Sequence, residues 1–468
     1  MITIPAPDGL AYFPYQLEGI YFALEHEGTL LADEMGVGKT IQAIGVINAD
    51  PTIQSVLIVC PAVMRLVWKR ELGHWLSRPC TIGVVGIDQN VADKKIIICN
   101  YDRLSTRWLQ ARLAGHLWDL AILDESHFCK SPAARRTRLA TSIQAKRRMA
   151  LSGTPLLNHP TELLPILTWL DPLTWPKSKW FEFGQRHGGA IFNGFAWQYT
   201  GATNLDELSG KLRSTVMIRR TKAEVLPDLP AKFRAIVELE QEDDIAQLVN
   251  AELRAFERFE AAIERAEPGD PGDNDYTRAV KELKPVWSKE WDNLAIARRE
   301  TAIAKVPYVL TFVSEALAAA SNKIVLWCHH RAVAFELAKG LAAFNPVLML
   351  GGMPPLDRQK AIDKFQADPR VRVFVGGITA AGIGISLTAA SHCVFAELSW
   401  VPAEISQAED RLHRIGAKDN VLVQHLVMSG SLDAIMARRL LKKQAITDAV
   451  LAPYHEHELN SLIATNLQ

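Results

Sequence analysis

The sequence predicts an α/β protein, with parallel sheets flanked by helices and arranged in two units. Short, nearly continuous apolar runs rich in β-branched residues alternate with longer helical patterns, as strands buried on both faces of a parallel sheet require. The runs form two clusters, one before residue ~160 and one after ~320, with charged helical text between them. A glycine-rich loop between the first apolar run and the helix after it points to a phosphate-binding turn at a strand end.

In the first cluster, Thr29-Leu30-Leu31-Ala32 leads into the glycine loop and Ile41-Gln42-Ala43-Ile44 opens the helix beyond it. The run from Ser55 to Cys60 stops at Pro61, the run from Lys95 to Cys99 follows, and Leu120-Ala121-Ile122-Leu123 ends at Asp124. Asp206 to Arg220, Gln241 to Arg265 and Thr277 to Lys305 read as charged helices. Glu267 to Asp275, rich in Pro, Gly and Asp, reads as a loop or disordered turn. The second cluster comprises Ile324-Val325-Leu326-Trp327, Val371 to Val375 and Cys393 to Ala396. Cys328-His329-His330 directly follows an apolar run, so a strand end is expected there in preference to a metal site.

Lys and Arg number 52, Asp and Glu 52, and 48% of the residues are hydrophobic, which is globular composition and excludes disorder for most of the chain. Zero net charge gives no support to a globally basic nucleic-acid binder, but it leaves room for a local basic groove. No apolar stretch approaches the ~20 residues of a spanning helix, and the first residues lack the pattern of a signal peptide. The six cysteines are scattered without a C-x-x-C pair, so a reducing location, cytoplasmic or nucleoid-associated, is expected.

The strongest chemical signal is Asp33-Glu34-Met35-Gly36-Val37-Gly38-Lys39-Thr40. Its glycines let the backbone wrap a phosphate chain, Lys39 can reach the β- and γ-phosphates, and the Thr40 hydroxyl can ligate Mg²⁺. Asp33 stands where the first glycine of a phosphate loop is usual. The second signal is Asp124-Glu125-Ser126-His127, two carboxylates delivered at the C-terminal end of a strand, where open α/β sheets place ligands. Asp124 would hold Mg²⁺ opposite Thr40, and Glu125 would orient or deprotonate the attacking water. Together they predict ATP hydrolysis. Arg411 and Arg414, at i and i+3, would share a helix face and could neutralise charge developing on the γ-phosphate.

With these pieces in place the chain resembles superfamily 2 helicases of the Swi/Snf type over nearly its whole length. Phe13-Pro14-Tyr15-Gln16 resembles the motif in which a Gln reads the adenine edge, and Asp33 to Thr40 resembles motif I, including the family's own Asp-Glu-Met-Gly opening. Cys60-Pro61, Asn100-Tyr101-Asp102, Asp124 to His127 and Leu151 to Pro155 resemble motifs Ia, Ib, II and III. Met217 to Leu226 with Leu229 to Lys232 resembles the segment joining the lobes. Trp327 to Arg331, Ile378 to Leu387 and Gln407 to Gly416 resemble motifs IV, V and VI. Asp124 to Phe128, Ile378 to Ala381 and Phe395-Ala396-Glu397-Leu398 with Trp400 and Pro402 are most similar to the annealing-helicase (HARP-like) branch.

The resemblance implies two RecA-like lobes of the P-loop NTPase kind. Residues 1–230 would carry the ATP-binding loop and a helical protrusion at about 156–220, residues 231–450 a helical insertion at about 240–305, and residues 451–468 would form a tail. The implied ligand is ATP with Mg²⁺, held by Gln16, Met35, Gly36, Val37, Gly38, Lys39, Thr40 and Gln407, with Asp124, Glu125, Arg411 and Arg414 completing catalysis. Pro61, Thr154, His330 and Thr379 would touch DNA, mainly at phosphates. Lys130, Arg135, Arg136, Arg138, Lys146, Arg147 and Arg148 form a basic stretch near the expected DNA side, open equally to being a solvated face. The expected activity is ATP-driven translocation on double-stranded DNA that remodels or reanneals branched DNA or displaces bound protein. A monomer is expected, with no membrane and no small-molecule substrate besides ATP, and a bacterial or viral source. A strand-separating DNA or RNA helicase and a nucleotide-switched recruitment module without turnover are the alternatives.

Overall fold

The structure is a computed structural model and describes residues 3–153, 159–192, 197–199, 201–240, 243–266, 276–319, 323–381 and 385–438. The stretch 267–275 and the tail 451–468 lie outside the described residues. The chain divides into two compact units that part between Leu229 and Pro230.

The first unit is built on seven strands. In chain order they are β1 Gly28–Leu31, β2 Val56–Cys60, β3 Ile82–Val84, β4 Ile96–Asn100, β5 Trp118–Asp124, β6 Ala145–Leu151 and, after a hairpin of β7 Ala190–Phe192 with β8 Trp197–Tyr199, β9 Met217–Ile218. The sheet order is β3-β4-β2-β5-β6-β1-β9 and every pairing is parallel. Every residue of β1, β2 and β4 is buried, as helices on both faces demand of a parallel sheet. A parallel sheet places all strand C-termini on one edge, so the glycine loop after β1 and the carboxylates ending β5 share that edge.

The stretch at about 156–220 is not a helical protrusion alone. It holds helices Leu164–Leu170, Trp180–His187 and Leu205–Thr215, the antiparallel β7–β8 hairpin, and β9, which extends the main sheet beside β1. Leu167, Trp169 and Leu170 are buried in the unit's own core. Strands of two or three residues are too short for a period-two pattern to register, so only the helices were visible in sequence.

The basic stretch also resolves differently. Lys146, Arg147 and Arg148 open β6, at the sheet edge opposite the glycine loop. Arg147 donates to the carbonyls of Ala23 and, at 2.7 Å, His26, where helix Pro14–Glu25 ends. Arg148 donates to the Trp169 carbonyl at 2.8 Å near the end of helix Leu164–Leu170, and Lys146 pairs with Asp119 at 2.8 Å. Two of these cations therefore cap helix C-termini, where unpaired carbonyls and the helix dipole favour positive charge. Arg135, Arg136 and Arg138 are exposed on helix Arg135–Thr141, and Lys130 lies 3.6 Å from Glu162.

The described residues of the second unit form a sheet of six parallel strands, β10 Lys232–Leu239, β11 Ile324–Cys328, β12 Val347–Met349, β13 Val373–Gly377, β14 His392–Phe395 and β15 Val421–Met428, in the order β10-β15-β14-β11-β13-β12. Trp327, Phe374 and Phe395 are fully buried on it. The stretch at about 240–305 forms two long helices, Asp243–Ala266 and Tyr276–Ala304, whose Ala255 and Leu294 join the same core. No single helix among the described residues is long and apolar enough to cross a membrane.

These two helices carry a buried charge cluster. Glu252 is 2% exposed beside Thr301, Arg298, Lys305 and Asp433, with Arg298 donating to Asp433 at 3.2 Å. Burial and the neighbouring Asp433 carboxylate push the Glu252 carboxyl up to about 8. Between its ordinary range and pH ~8 the unfolded chain binds fewer protons here than the folded one, so this group makes stability fall as pH rises. Glu252→Gln therefore raises the melting temperature, and its advantage grows from pH 5 to pH 8 by about 2–4 °C for each kcal/mol recovered. A constant difference across that window in thermal melts would refute the assignment.

Candidate active site

The glycine loop leaves β1 and enters helix Lys39–Ala49, with Gly36 and Gly38 both at φ 86°, where a side chain is strained. A Cβ on Gly38 would come within 2.5 Å of Gln16 Nε2. Gln16 is buried against the loop: its Nε2 donates to the Val37 carbonyl at 3.3 Å and its Oε1 accepts the Phe13 N–H at 3.0 Å. Tyr15 donates its hydroxyl to the same Val37 carbonyl at 2.9 Å. Lys39 donates through Nζ to the carbonyls of Asp33 at 2.7 Å and Glu34 at 3.0 Å. Its burial lowers its pKa, opposed by Glu125, Asp33 and Asp124.

Asp124 and Glu125 end β5 beside this loop. Trp68, fully buried on helix Met64–Trp75, donates its indole N–H to Asp124 Oδ2 at 2.8 Å. The Asp124 Oδ1 accepts the Glu125 N–H at 3.0 Å, and Tyr101 donates to the Asp124 carbonyl at 2.8 Å. Burial, and then the adjacent Glu125 charge, raise the Asp124 pKa. Glu125 has φ 49°, a left-handed conformation that costs a non-glycine residue roughly 1–3 kcal/mol and is held here by the surrounding bonds. His127 lies 3.4 Å from Glu125 Oε2 and 3.3 Å from Ser152 Oγ. Burial, reinforced by Lys130, brings its pKa down to about 4, so the ring is neutral at neutral pH. A Cβ on Gly153 would lie 2.1 Å from the Met35 Cγ and 3.3 Å from Lys39 Nζ, so Gly153 lets motif III close on the loop. A lysine among loop amides, with hard oxygen donors in Thr40 and Asp124, suits a nucleotide triphosphate and Mg²⁺.

Sequence reasoning missed what holds the loop. Asp33, with no exposed surface, accepts from Arg220 Nε at 3.1 Å and Nη2 at 2.7 Å, from the Arg220 N–H at 3.0 Å and from Gln42 Nε2 at 3.0 Å. Arg220 also donates to the Tyr15 carbonyl. Arg219 donates to the Ala32 carbonyl at 2.7 Å, and the Lys222 N–H to Glu34 Oε2 at 2.7 Å. The segment after β9 thus clamps the strand end and the loop. The one available signal was Asp33 itself, a carboxylate in a glycine position that must meet a cation once buried.

The second unit places its residues as follows. His330 caps helix Arg331–Gly340, and its ring bonds Glu397 Oε1 through Nδ1 at 2.6 Å. The N–H groups of His329 and His330 donate to Glu397 Oε2 at 2.8 and 2.9 Å, so Glu397 fixes this turn. Thr379 is exposed on the short helix Ile378–Ala381, and Gln407 is buried on helix Pro402–Glu409. That helix ends before the arginines, so Arg411 and Arg414 do not share a helix face. They sit in the turns beyond it; the last helical residue, Glu409, pairs with Arg234 at 2.6 Å and Lys232 at 3.1 Å on β10. The Arg411 backbone carbonyl accepts the Leu387 N–H at 2.9 Å and the Arg414 side chain donates to the Ile385 carbonyl at 3.1 Å, which ties motif VI to motif V. Of the residues expected at DNA, Pro61 is buried at the end of β2 and Thr154 lies outside the described residues.

The comparisons with known proteins agree with this geometry. An SNF2-related domain matches residues 15–265 and a helicase conserved C-terminal domain matches residues 304–416. The DNA annealing helicase and endonuclease ZRANB3 of Bos taurus is 34% identical over 94% of this chain and 40% of its own length. The SWI/SNF-related matrix-associated actin-dependent regulator of chromatin subfamily A-like protein 1 of Xenopus tropicalis is 34% identical over 91% of this chain and 43% of its own length. The chain therefore spans less than half the length of these curated relatives. The solved Sulfolobus solfataricus SWI2/SNF2 ATPase core in complex with dsDNA is similar at a TM-score of 0.46 and 23% identity, covering 96% of this chain and 95% of that one. The SNF2-related match alone takes in more than half the chain and every residue of the clamped loop, and the chain belongs to the SNF2-related helicase family.

Proposed function

We propose that the chain is a DNA-dependent ATPase of the Swi/Snf type that translocates on double-stranded DNA and remodels or reanneals branched DNA. The observation that carries the proposal is the meeting of Lys39 and its loop with Asp124 and Glu125 at one strand edge. The 34% identical ZRANB3, named a DNA annealing helicase, supports the DNA reading.

In this reading the loop amides and Lys39 bind the phosphate chain of ATP, and Gln16 takes the base. Thr40 and Asp124 hold Mg²⁺, whose charge offsets the phosphate oxygens. Glu125 orients the attacking water and takes its proton at the carboxylate. Arg411 and Arg414 neutralise charge developing on the γ-phosphate, with Gln407 among the nucleotide contacts. His330 and Thr379 meet strand phosphates, as does the chain around Pro61 through the exposed Ala62 beside it. Contacts of this kind bind without sequence preference and weaken steeply with salt. The proposal places the protein with DNA in the cell.

Steady-state ATPase rates with no nucleic acid, single-stranded DNA, duplex DNA, forked DNA and RNA test it. Duplex or fork is expected to raise turnover by favouring the hydrolysis-competent state. Stimulation by single strands or RNA alone would replace this reading with a strand-separating helicase. No turnover under any condition would replace it with a nucleotide-switched module.

A further inference from the structure

Successive side chains of a strand point to opposite faces of its sheet, so two carboxylates in a row at a strand end are expected to part. Those of Asp124 and Glu125 act on the same group. The charged form of Lys39 is favoured by both, and by Glu125 more than by Asp124. The alternation breaks at Glu125, whose φ of 49° follows directly on the end of β5. The other non-glycine residues at positive φ among those described are Asn90, Asn204 and Asn345. Asparagine reaches this region because its short side chain can bond locally; glutamate has no such relief. The neighbours of Glu125 must therefore hold it there.

Tyr101, 3% exposed directly after β4, holds both sides of it. Its hydroxyl donates at 2.8 Å to the carbonyl of Asp124, the residue before Glu125. Its ring stacks on Phe128, three residues after Glu125, with centroids 5.6 Å apart and 7° between planes. Phe128 in turn donates its N–H to the Glu125 carbonyl at 3.0 Å. Burial pushes the Tyr101 phenol well above its ordinary pKa, so the hydroxyl remains a neutral donor.

These contacts fall on two peptide planes. A peptide group is planar and turns as a unit. The Asp124 carbonyl belongs to the plane that enters Glu125, and the Glu125 carbonyl to the plane that leaves it. Tyr101 fixes the first directly and the second through Phe128. With both planes fixed, φ and ψ of Glu125 have no freedom left. The other contacts of the pair act on side chains: Trp68 bonds the Asp124 carboxylate at 2.8 Å, and His127 lies 3.4 Å from the Glu125 carboxylate.

We propose that Tyr101 is a positioning residue for hydrolysis, which holds the peptide planes on either side of Glu125 and so keeps its carboxylate turned toward the phosphate loop. Released from that hold, residue 125 relaxes toward the right-handed region and its carboxylate swings away. Tyr101 itself touches neither nucleotide nor water in this account. The inference rests on the role given to Glu125 in the function proposed above.

The test uses the full chain with duplex DNA present. Tyr101→Phe deletes the hydroxyl and keeps the ring. Phe128→Leu deletes the stacked partner and supplies an independent variant if the first folds poorly. Single-turnover ATP hydrolysis is expected to slow about tenfold or more in each, the scale of a catalytic group displaced by about an ångström. Affinity for a fluorescent ATP analogue stays unchanged. The same substitutions are then made in a Glu125→Gln background. There the further loss is much smaller than in the unsubstituted chain, because the base they position is already gone. Equal losses in the two backgrounds overturn the proposal and leave Tyr101 a part of the fold alone. An unchanged rate in both variants overturns it too, as does loss of ATP binding in both. If Glu125→Gln by itself hydrolyses ATP at the unsubstituted rate, the assignment of the base falls and this inference falls with it. A slow Glu125→Gln chain with equal further losses sinks this inference alone.

Discussion

Glu125→Gln slows ATP turnover by about three orders of magnitude and leaves nucleotide binding intact, because a positioned general base contributes roughly 10²–10⁴. Gln matches Glu in size and keeps a carbonyl to orient water, but it cannot take the proton. The backbone of residue 125 is held at φ 49° by the bond from its N–H to Asp124 Oδ1, a constraint indifferent to the side-chain charge. Single-turnover hydrolysis and equilibrium binding of a fluorescent ATP analogue separate the two effects. Unchanged turnover would remove Glu125 from catalysis. Lost binding would make it a structural residue of the loop.

Arg220→Ala is expected to cost the first unit about 3–5 kcal/mol, because it leaves the Asp33 carboxylate buried without its ion-pair partner. The loss reaches the nucleotide, since Asp33 and Glu34 lend Lys39 the carbonyls that hold its ammonium group. Arg220→Lys recovers little, because one ammonium cannot reproduce the fork that bonds both Asp33 oxygens. The decisive comparison is the double substitution Asp33→Gly with Arg220→Met. It removes both charges and should be more stable in urea than Arg220→Ala alone. If the double substitution is the worse of the two, the buried pair is not what stabilises the loop.

The parts of the fold legible in sequence were those with a local signature. Val56–Cys60 and Ile96–Asn100 announce parallel strands by being apolar throughout, and the loop from Asp33 to Thr40 announces itself by spacing. The partners of those residues left no such trace. Trp68 reaches Asp124 across 56 positions and Arg220 reaches Asp33 across 187, and no periodicity encodes a pairing at that range. Charge was misleading for the same reason. Arg147 and Arg148 look like a basic patch until the ends of two helices come to rest on them. The turn after Glu409 was read as helix because no Gly or Pro interrupts the text before Gly416. The ion pair that holds its last residue, Glu409, to β10 joins positions far apart in the chain and leaves no local trace.

The 187-residue span between Asp33 and its clamp also orders the birth of the protein. At translation speeds of 5–20 residues per second, roughly ten to forty seconds separate the synthesis of the loop from that of Arg220. Through that interval β1 has an open edge where β9 will pair, and Asp33 has no cation to meet. Sealing the carboxylate into an apolar interior is then unfavourable, so the nascent loop stays solvated. The loop therefore reaches its clamped form only after the ninth strand has left the ribosome and closed the sheet on its first.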